Sequence, residues 1–120
     1  MGDYRTLLAY QKAFALALKI YQRSRRFPPE ERFGLIAQIR DSSRSVCVNI
    51  VEAYKRRRYK NYYLSKLNDS ETENAETQVW LDFANTCGYF GEGEYQKLTS
   101  DNDEVAKLVL YMTIHPEKFI

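Results

Sequence analysis

Apolar side chains recur every three or four positions in the middle of this chain, and this spacing constrains the fold most. Steps of three, four, three and four residues connect Ile36, Ile39, Ser43, Val46 and Ile50. Such spacing places side chains on one face of an α-helix that is buried along a single seam. Glycine and proline are scarce, at five and three residues, which disfavours an all-β fold. The pattern predicts an all-α protein.

The sequence as a whole predicts an up-and-down bundle of four helices, with residues 1–120 forming a single domain. The predicted helices span approximately residues 7–25, 29–54, 58–86 and 94–113. Thr6 is the predicted N-cap of the first helix, and Pro29 suits the first turn of the second. Gly88 is expected to end the third helix by adopting a positive φ. In the first helix, one apolar stripe is formed by Leu7, Phe14, Leu18 and Tyr21.

The third predicted helix has a polar middle. Only Ala75 is apolar between Asn68 and Gln78, whereas the segments on both sides are apolar. A helix that is polar on every side is not buried for hydrophobic reasons, so this middle is either solvated or part of a polar network. We predict that Arg40 and Asn49 from the second helix meet Glu73 or Gln78 there, at least partly buried.

The two halves of the chain carry opposite charge. Residues 1–60 hold 14 Lys and Arg against 5 Asp and Glu, and residues 61–120 hold 4 against 11. Positive charge peaks in the run Lys55, Arg56, Arg57, Arg58, Tyr59 and Lys60, which Tyr62 and Tyr63 follow. Such a run predicts an anionic partner, either a ligand or an acidic protein surface.

Two interpretations of this run remain open. In the first, Lys and Arg neutralise the phosphates of RNA or DNA while Tyr59, Tyr62 or Tyr63 stack on exposed bases. In the second, the run is a solvated start of the third helix, with its tyrosines on the core. Its charges then pair with acidic neighbours or with another subunit. The second makes the protein a protein–protein interaction module without a nucleic-acid ligand.

No catalytic or metal-binding set stands out, and we expect a protein that is not an enzyme. Four glutamates invite comparison with di-metal carboxylate bundles, namely Glu52, Glu71, Glu73 and Glu76. Those bundles need Glu-x-x-His motifs that face inward, and the only histidine, His115, lies near the C-terminal end. We therefore expect no catalytic residue, no metal and no cofactor.

The cysteines and the hydropathy pattern predict a cytoplasmic protein. Cys47 and Cys87 are far apart in sequence and neither belongs to a CxxC motif, so we interpret both as buried thiols in a reduced compartment. No apolar run reaches the roughly 18–20 residues that a membrane span requires. The N-terminal residues show no export signal.

Several segments resemble a known family. They are Phe27-Pro28, Glu31-Arg32-Phe33-Gly34-Leu35, Gln38-Ile39-Arg40, Ser45-Val46, Asn49-Ile50-Val51-Glu52-Ala53, Ser70, Glu73, Glu76-Thr77-Gln78 and Gly88-Tyr89. This pattern, over roughly residues 7–113, resembles the bacterial four-helix-bundle family of rRNA intervening-sequence proteins. It is also similar to the accessory variability determinant of diversity-generating retroelements.

The resemblance implies a bundle that assembles as a ring-like homopentamer. For the retroelement relatives it also implies that a basic surface binds nucleic acid and a reverse transcriptase. Two positions depart from the pattern, because Asp41 replaces a basic residue and Ala53 replaces a glycine. The first departure removes positive charge from the second helix. The residues that the resemblance marks as structural are Gln38, Arg40, Asn49, Glu52, Ser70, Glu73 and Gln78.

Overall fold

The computed structural model describes residues 2–120, which form four α-helices. These are α1 (Leu8–Ser24), α2 (Leu35–Lys55), α3 (Lys60–Thr86) and α4 (Glu94–Ile114). Each helix packs against its two neighbours in cyclic order, and the molecule measures 44 × 25 × 20 Å. The described residues contain no β-strand, and the prediction of an all-α four-helix bundle is confirmed.

The core face of α3 explains its polar middle. Its buried positions keep the steps of three and four residues throughout: Tyr63, Leu67, Ser70, Asn74, Thr77, Leu81 and Ala84. Three of them are small polar residues, and they enter the core with their hydrogen bonds made inside the bundle. A buried polar side chain is tolerated when it is hydrogen-bonded in this way. The middle of α3 therefore has one side in the core and one side in solvent, although nearly all of its residues are polar.

The core face of α1 is not the stripe that the sequence suggested. The residues of α1 that enter the core are Ala9, Ala13, Leu16, Ile20 and Ser24. Within the suggested stripe only Leu7 is buried, whereas Phe14, Leu18 and Tyr21 are exposed on α1. The physical reason is that α1 has two apolar faces of helical period. The face with small alanines allows close packing of helices, and the larger side chains are left outside.

Two predicted helix starts differ from the structure. Helix α2 begins at Leu35 rather than at Pro29, because residues Pro29–Glu31 form a separate 3-10 turn. Thr6 does not cap α1, whose N-cap is Leu7. The Thr6 hydroxyl instead donates to the backbone oxygen of Asp3 at 2.7 Å, within a short 3-10 turn that precedes the helix.

The end of α3 follows the predicted glycine. Gly88 has a φ of +77°, and the backbone N–H of Tyr89 donates to the oxygen of Ala84 at 2.9 Å. This positive φ reverses the chain after the helix at little steric cost because glycine lacks a Cβ. The Tyr89 hydroxyl then donates to a carboxylate oxygen of Glu31 at 2.8 Å, which connects the two turns at this end of the bundle.

Within residues 2–120, none of the helices has the length and apolar character to cross a membrane.

Candidate nucleic-acid interface

The basic run lies where α2 passes into α3, and we call residues Lys55–Lys60 the basic joint. Helix α2 ends at Lys55, and the N–H of Tyr59 donates to the oxygen of Arg56 at 2.9 Å to close a tight turn. Tyr59 is then the N-cap of α3. Within the joint, only Arg57 is half-buried, and the other five side chains are exposed. The joint thus presents a short basic surface at one end of the bundle.

Aromatic rings lie beneath the guanidinium groups of the joint. Arg56 lies 5.4 Å from the ring centre of Tyr62, and Arg58 lies 5.3 Å from that of Tyr59. Arg57 is closer to its ring, at 4.0 Å from the centre of Tyr54, and it also donates to the Tyr54 backbone oxygen at 2.8 Å. Arg57 therefore supports the end of α2, and it is less available to a ligand than Arg56 or Arg58.

The three tyrosines considered as stacking platforms separate into two groups. Tyr59 and Tyr62 are exposed, by 53% and 37%. Tyr63 is fully buried, and its hydroxyl donates to the backbone oxygen of Met112 in α4 at 3.0 Å. Burial raises the pKa of Tyr63 well above its ordinary value. Tyr63 is therefore a core residue, and the suggestion that it stacks on a base is wrong.

Four of the five cations of the joint form no ion pair within the described residues. Across residues 2–120, Lys55, Arg56, Arg58 and Lys60 form no ion pair with a carboxylate. The electrostatic effect of Lys55 reaches Asp3, but the pKa of Asp3 is lowered mainly by the backbone N–H of Arg5. Pairing within one chain thus does not neutralise these four cations.

The predicted network around Arg40 does not form. The Arg40 guanidinium donates to the Ser24 hydroxyl at 2.8 Å and lies 4.6 Å from the ring centre of Tyr21, so it contacts α1 and not α3. The Asn49 amide donates to the backbone oxygen of Ser45 in its own helix at 2.9 Å. The prediction that these two residues meet Glu73 or Gln78 is wrong, because Arg40 finds its partners on α1 and Asn49 finds its partner one turn back in α2.

The other residues of the predicted network make separate contacts. The Ser70 hydroxyl donates to the oxygen of Val46 at 3.0 Å, and Glu52 forms an ion pair with Lys66 at 3.7 Å. Gln38 is exposed beside a small surface pocket next to Trp80. These contacts connect α2 and α3 at several levels, but they form no continuous network.

A polar network with a buried centre does exist between α3 and α4. Gln78 donates to the Thr99 hydroxyl at 3.1 Å and accepts from the Asn102 amide at 3.2 Å. Asn102 in turn pairs with Asn74, and both are buried. Of the marked residues only Gln78 belongs to this network. Asn74 and Asn102 were missed, although both occupy positions of the core spacing in their helices.

The carboxyl group of Glu73 is partly buried and lies close to other acidic side chains. Burial raises the pKa of Glu73, and the nearby Glu76 carboxylate raises it further, while the Ser45 hydroxyl opposes the rise. In the described part of the chain, no cluster of three or more His, Cys, Asp and Glu side chains is arranged to hold a metal ion.

The cysteines differ from each other. Cys47 is buried, and burial raises its pKa to about 12. Cys87 is exposed at the end of α3, so the prediction of two buried thiols is wrong for this residue. Cys87 is the C-cap of α3, directly before the turn at Gly88, and this position lies outside the core.

Together these features define a class: an all-α four-helix bundle with an exposed basic joint between its second and third helices. Residues 5–110 match the family described as 23S rRNA-intervening sequence protein, and the chain belongs to this family. The fold is similar to the crystal structure of a protein of unknown function from the S23 ribosomal protein family of Bacteroides thetaiotaomicron. That comparison has a TM-score of 0.80 at 25% identity and covers 88% of this chain and 95% of the other. A comparison with curated proteins gives no match.

Proposed function

We propose that this protein is a non-enzymatic, cytoplasmic binding protein that forms a homo-oligomer and binds RNA or DNA through the basic joint. By family resemblance the expected oligomer is a homopentamer, and a reverse transcriptase is a further candidate partner. The observation that carries the proposal is a set of four exposed cations that have no acidic partner among residues 2–120: Lys55, Arg56, Arg58 and Lys60. Unpaired surface cations of this density attract phosphates.

The exposed rings give the joint a second means of contact. Tyr59 and Tyr62 lie next to Arg58 and Arg56, so a phosphate and an unstacked base can be bound by adjacent side chains. Such contacts favour single-stranded or looped RNA over regular duplex. Repetition of the joint in an oligomer would raise the apparent affinity, because several weak sites act on one strand.

The test is binding of a structured RNA and of a duplex DNA of equal length, measured by fluorescence anisotropy over a range of salt concentrations. Binding should weaken steeply with salt, and the log–log slope should become shallower by about one unit for each phosphate-contacting charge removed. Replacing Arg56 and Arg58 by alanine should weaken binding at least tenfold. Arg57 is left intact, since it supports Tyr54.

A matched control removes two exposed lysines of α4, in the Lys97→Ala/Lys107→Ala variant. It has the same net charge as the double arginine variant but keeps the joint. The proposal requires the control to bind like the parent. It fails if the parent binds neither RNA nor DNA at low salt, or if both variants lose binding equally, since the latter means that only net charge matters.

One observation favours the protein-interaction alternative. Residues 67–96 contain no Lys or Arg, and their acidic residues include Glu71, Glu73 and Glu76, which form no ion pair in the described part. The acidic α3 of one subunit could therefore meet the basic joint of another. In that case the Arg56→Ala/Arg58→Ala variant would fall apart into smaller species, and nucleic acid would not bind the parent.

A further inference from the structure

An open apolar groove runs between α1 and α2 on the outside of the bundle. It has a volume of about 660 Å³, and its walls include Phe14, Leu18 and Tyr21 from α1 and Val48 and Val51 from α2. Phe14 and Leu18 are 47% and 50% exposed. This is the face of α1 that the sequence suggested as its apolar stripe and that the core does not use. A contiguous exposed patch of this kind marks an interaction surface.

A second apolar surface lies on α3, and we call Val79 and Phe83 the ridge. They stand one helical turn apart and are 48% and 54% exposed. The ring of Trp80 lies beside the ridge, 5.9 Å from the ring centre of Phe83. The ridge is therefore a second exposed apolar patch, and Phe83 also borders a small pocket beside Trp80.

The charges around the two surfaces are complementary. Arg25 lies one turn beyond Tyr21, and Arg44 lines the groove; neither forms an ion pair within residues 2–120. Helix α1 contains no Asp or Glu. The one acidic residue that lines the groove, Glu52, is paired with Lys66. Asp41 lies one turn before Arg44 on α2 and is also exposed, so the unpaired charges beside the groove are one acidic against two basic residues, and the border keeps a net positive charge.

The ridge has the opposite border. Glu76 and Asp82 are its nearest acidic residues along α3, and no cation lies between Leu67 and Gln96. Acidic residues around one apolar surface and basic residues around the other steer the two together and set their orientation. The same charges oppose groove-to-groove and ridge-to-ridge contact, since each would bring like charges together.

We infer that the ridge of one copy of this chain packs into the α1–α2 groove of a second copy. The two surfaces lie on different helices, so the contact is heterologous. An open assembly of copies keeps one free groove at one end and one free ridge at the other until a ring closes. This inference rests on the homo-oligomer of the proposed function and identifies the surfaces that build it. It does not involve the basic joint, which stays exposed for a ligand.

The test uses two variants that each damage one surface. Leu18→Glu places a carboxylate in the groove, and Phe83→Glu places one on the ridge. Because both residues are about half exposed, the monomer fold should survive, which circular dichroism checks. Phe14→Glu and Val79→Glu are independent replacements if either first variant fails to fold. Leu110→Glu, at an exposed apolar position on α4, is the matched control.

Light scattering after size exclusion should show the parent and Leu110→Glu as the same oligomer, and each damaged variant as a monomer. An equimolar mixture of Leu18→Glu and Phe83→Glu should form a 1:1 dimer and nothing larger. In this mixture one intact ridge meets one intact groove, while the two damaged surfaces carry like charges and repel. Only a heterologous contact between these two surfaces gives this result.

The inference is overturned if the parent is monomeric at micromolar concentration, if either damaged variant keeps the parent mass, or if the mixture stays monomeric. Loss of the oligomer in Leu110→Glu as well would also overturn it. RNA binding measured on the same samples separates the two proposals. A monomeric parent that binds RNA contradicts the interface and the homo-oligomer but not the RNA ligand, whereas an assembled parent that binds no nucleic acid contradicts only the ligand.

Discussion

The side chains of Asn74 in α3 and Asn102 in α4 are hydrogen-bonded to each other inside the bundle. The Asn74 amide donates to the Asn102 side-chain oxygen at 2.8 Å, and the Asn102 amide donates to the Asn74 backbone oxygen at 3.2 Å. Both residues are nearly inaccessible to solvent. A buried amide pair of this kind fixes the register of two helices, because any shift along the axis leaves its polar atoms unsatisfied.

We predict that Asn74→Ala and Asn102→Ala each lower the free energy of unfolding by about 1–3 kcal/mol, since each leaves a buried polar partner unsatisfied. The double variant should lose less than the sum of the two, with a coupling of about 0.5–3 kcal/mol. Urea unfolding of the four proteins measures this coupling. Strict additivity would show that the two amides do not depend on each other.

Tyr63 provides a second test of the core. Its hydroxyl donates to the oxygen of Met112, and the residue four positions later, Pro116, has no N–H to offer that oxygen. The hydroxyl thus takes the place of a missing helical hydrogen bond. Tyr63→Phe should lower the free energy of unfolding by about 1–2 kcal/mol at unchanged fold. Tyr62→Phe is the matched control, and an equal loss there would contradict this role.

The raised pKa of Glu73 gives a pH dependence with a defined sign. At low pH the carboxyl is protonated in both the folded and the unfolded state, and stability is lost as pH rises through the raised folded-state pKa. Glu73→Gln should therefore stabilise the protein near neutral pH by about 0.2–0.5 kcal/mol, because it removes a partly buried charge and its repulsion from Glu76. The gain should vanish below about pH 4.

Thermal unfolding of the parent and of Glu73→Gln at several pH values measures this difference. Glu71→Gln, which changes a carboxylate on the same helix outside the Glu73–Glu76 pair, is the control and should lack the pH-dependent gain. A Glu73→Gln variant that is less stable than the parent near neutral pH would mean that the carboxylate makes a favourable contact.

Cys47 should be unreactive in the folded protein. Burial keeps its pKa near 12, so almost no thiolate is present at neutral pH, and the thiol is shielded from solvent. In a Cys87→Ser variant, a thiol reagent should therefore label no cysteine until denaturant is added and then label one per chain. Rapid labelling without denaturant would show that the α1–α2 seam opens readily.

The fold followed from the sequence because residue spacing alone defines helices and their turns. The core face of α2, with Ile39, Val46 and Ile50, and the glycine at position 88 required no tertiary information. The core face of α1 did require tertiary information. Ala13 and Phe14 lie in two equally periodic stripes, and only packing decides which stripe is buried.

The candidate site was predictable in position but not in detail. Lys55–Lys60 stood out by charge, yet sequence could not separate the supporting Arg57 from the exposed Arg58. The polar network was placed on the wrong residues for a related reason. Long side chains such as Arg40 can reach several partners, and the three-dimensional neighbours decide among them. Asn74 and Asn102 could have been found by continuing the core spacing through polar positions.

The antiparallel path of four helices brings several distant parts of the chain to the end that carries the basic joint. Gly2 approaches the Tyr54 hydroxyl, and Glu117 is close enough to influence the Tyr63 pKa. An affinity tag or fluorescent protein fused beyond either of these residues would therefore crowd the surface where RNA binding is sought. The turn around Phe33, which is 86% exposed at the opposite end, is the better place to attach a probe or a solid support.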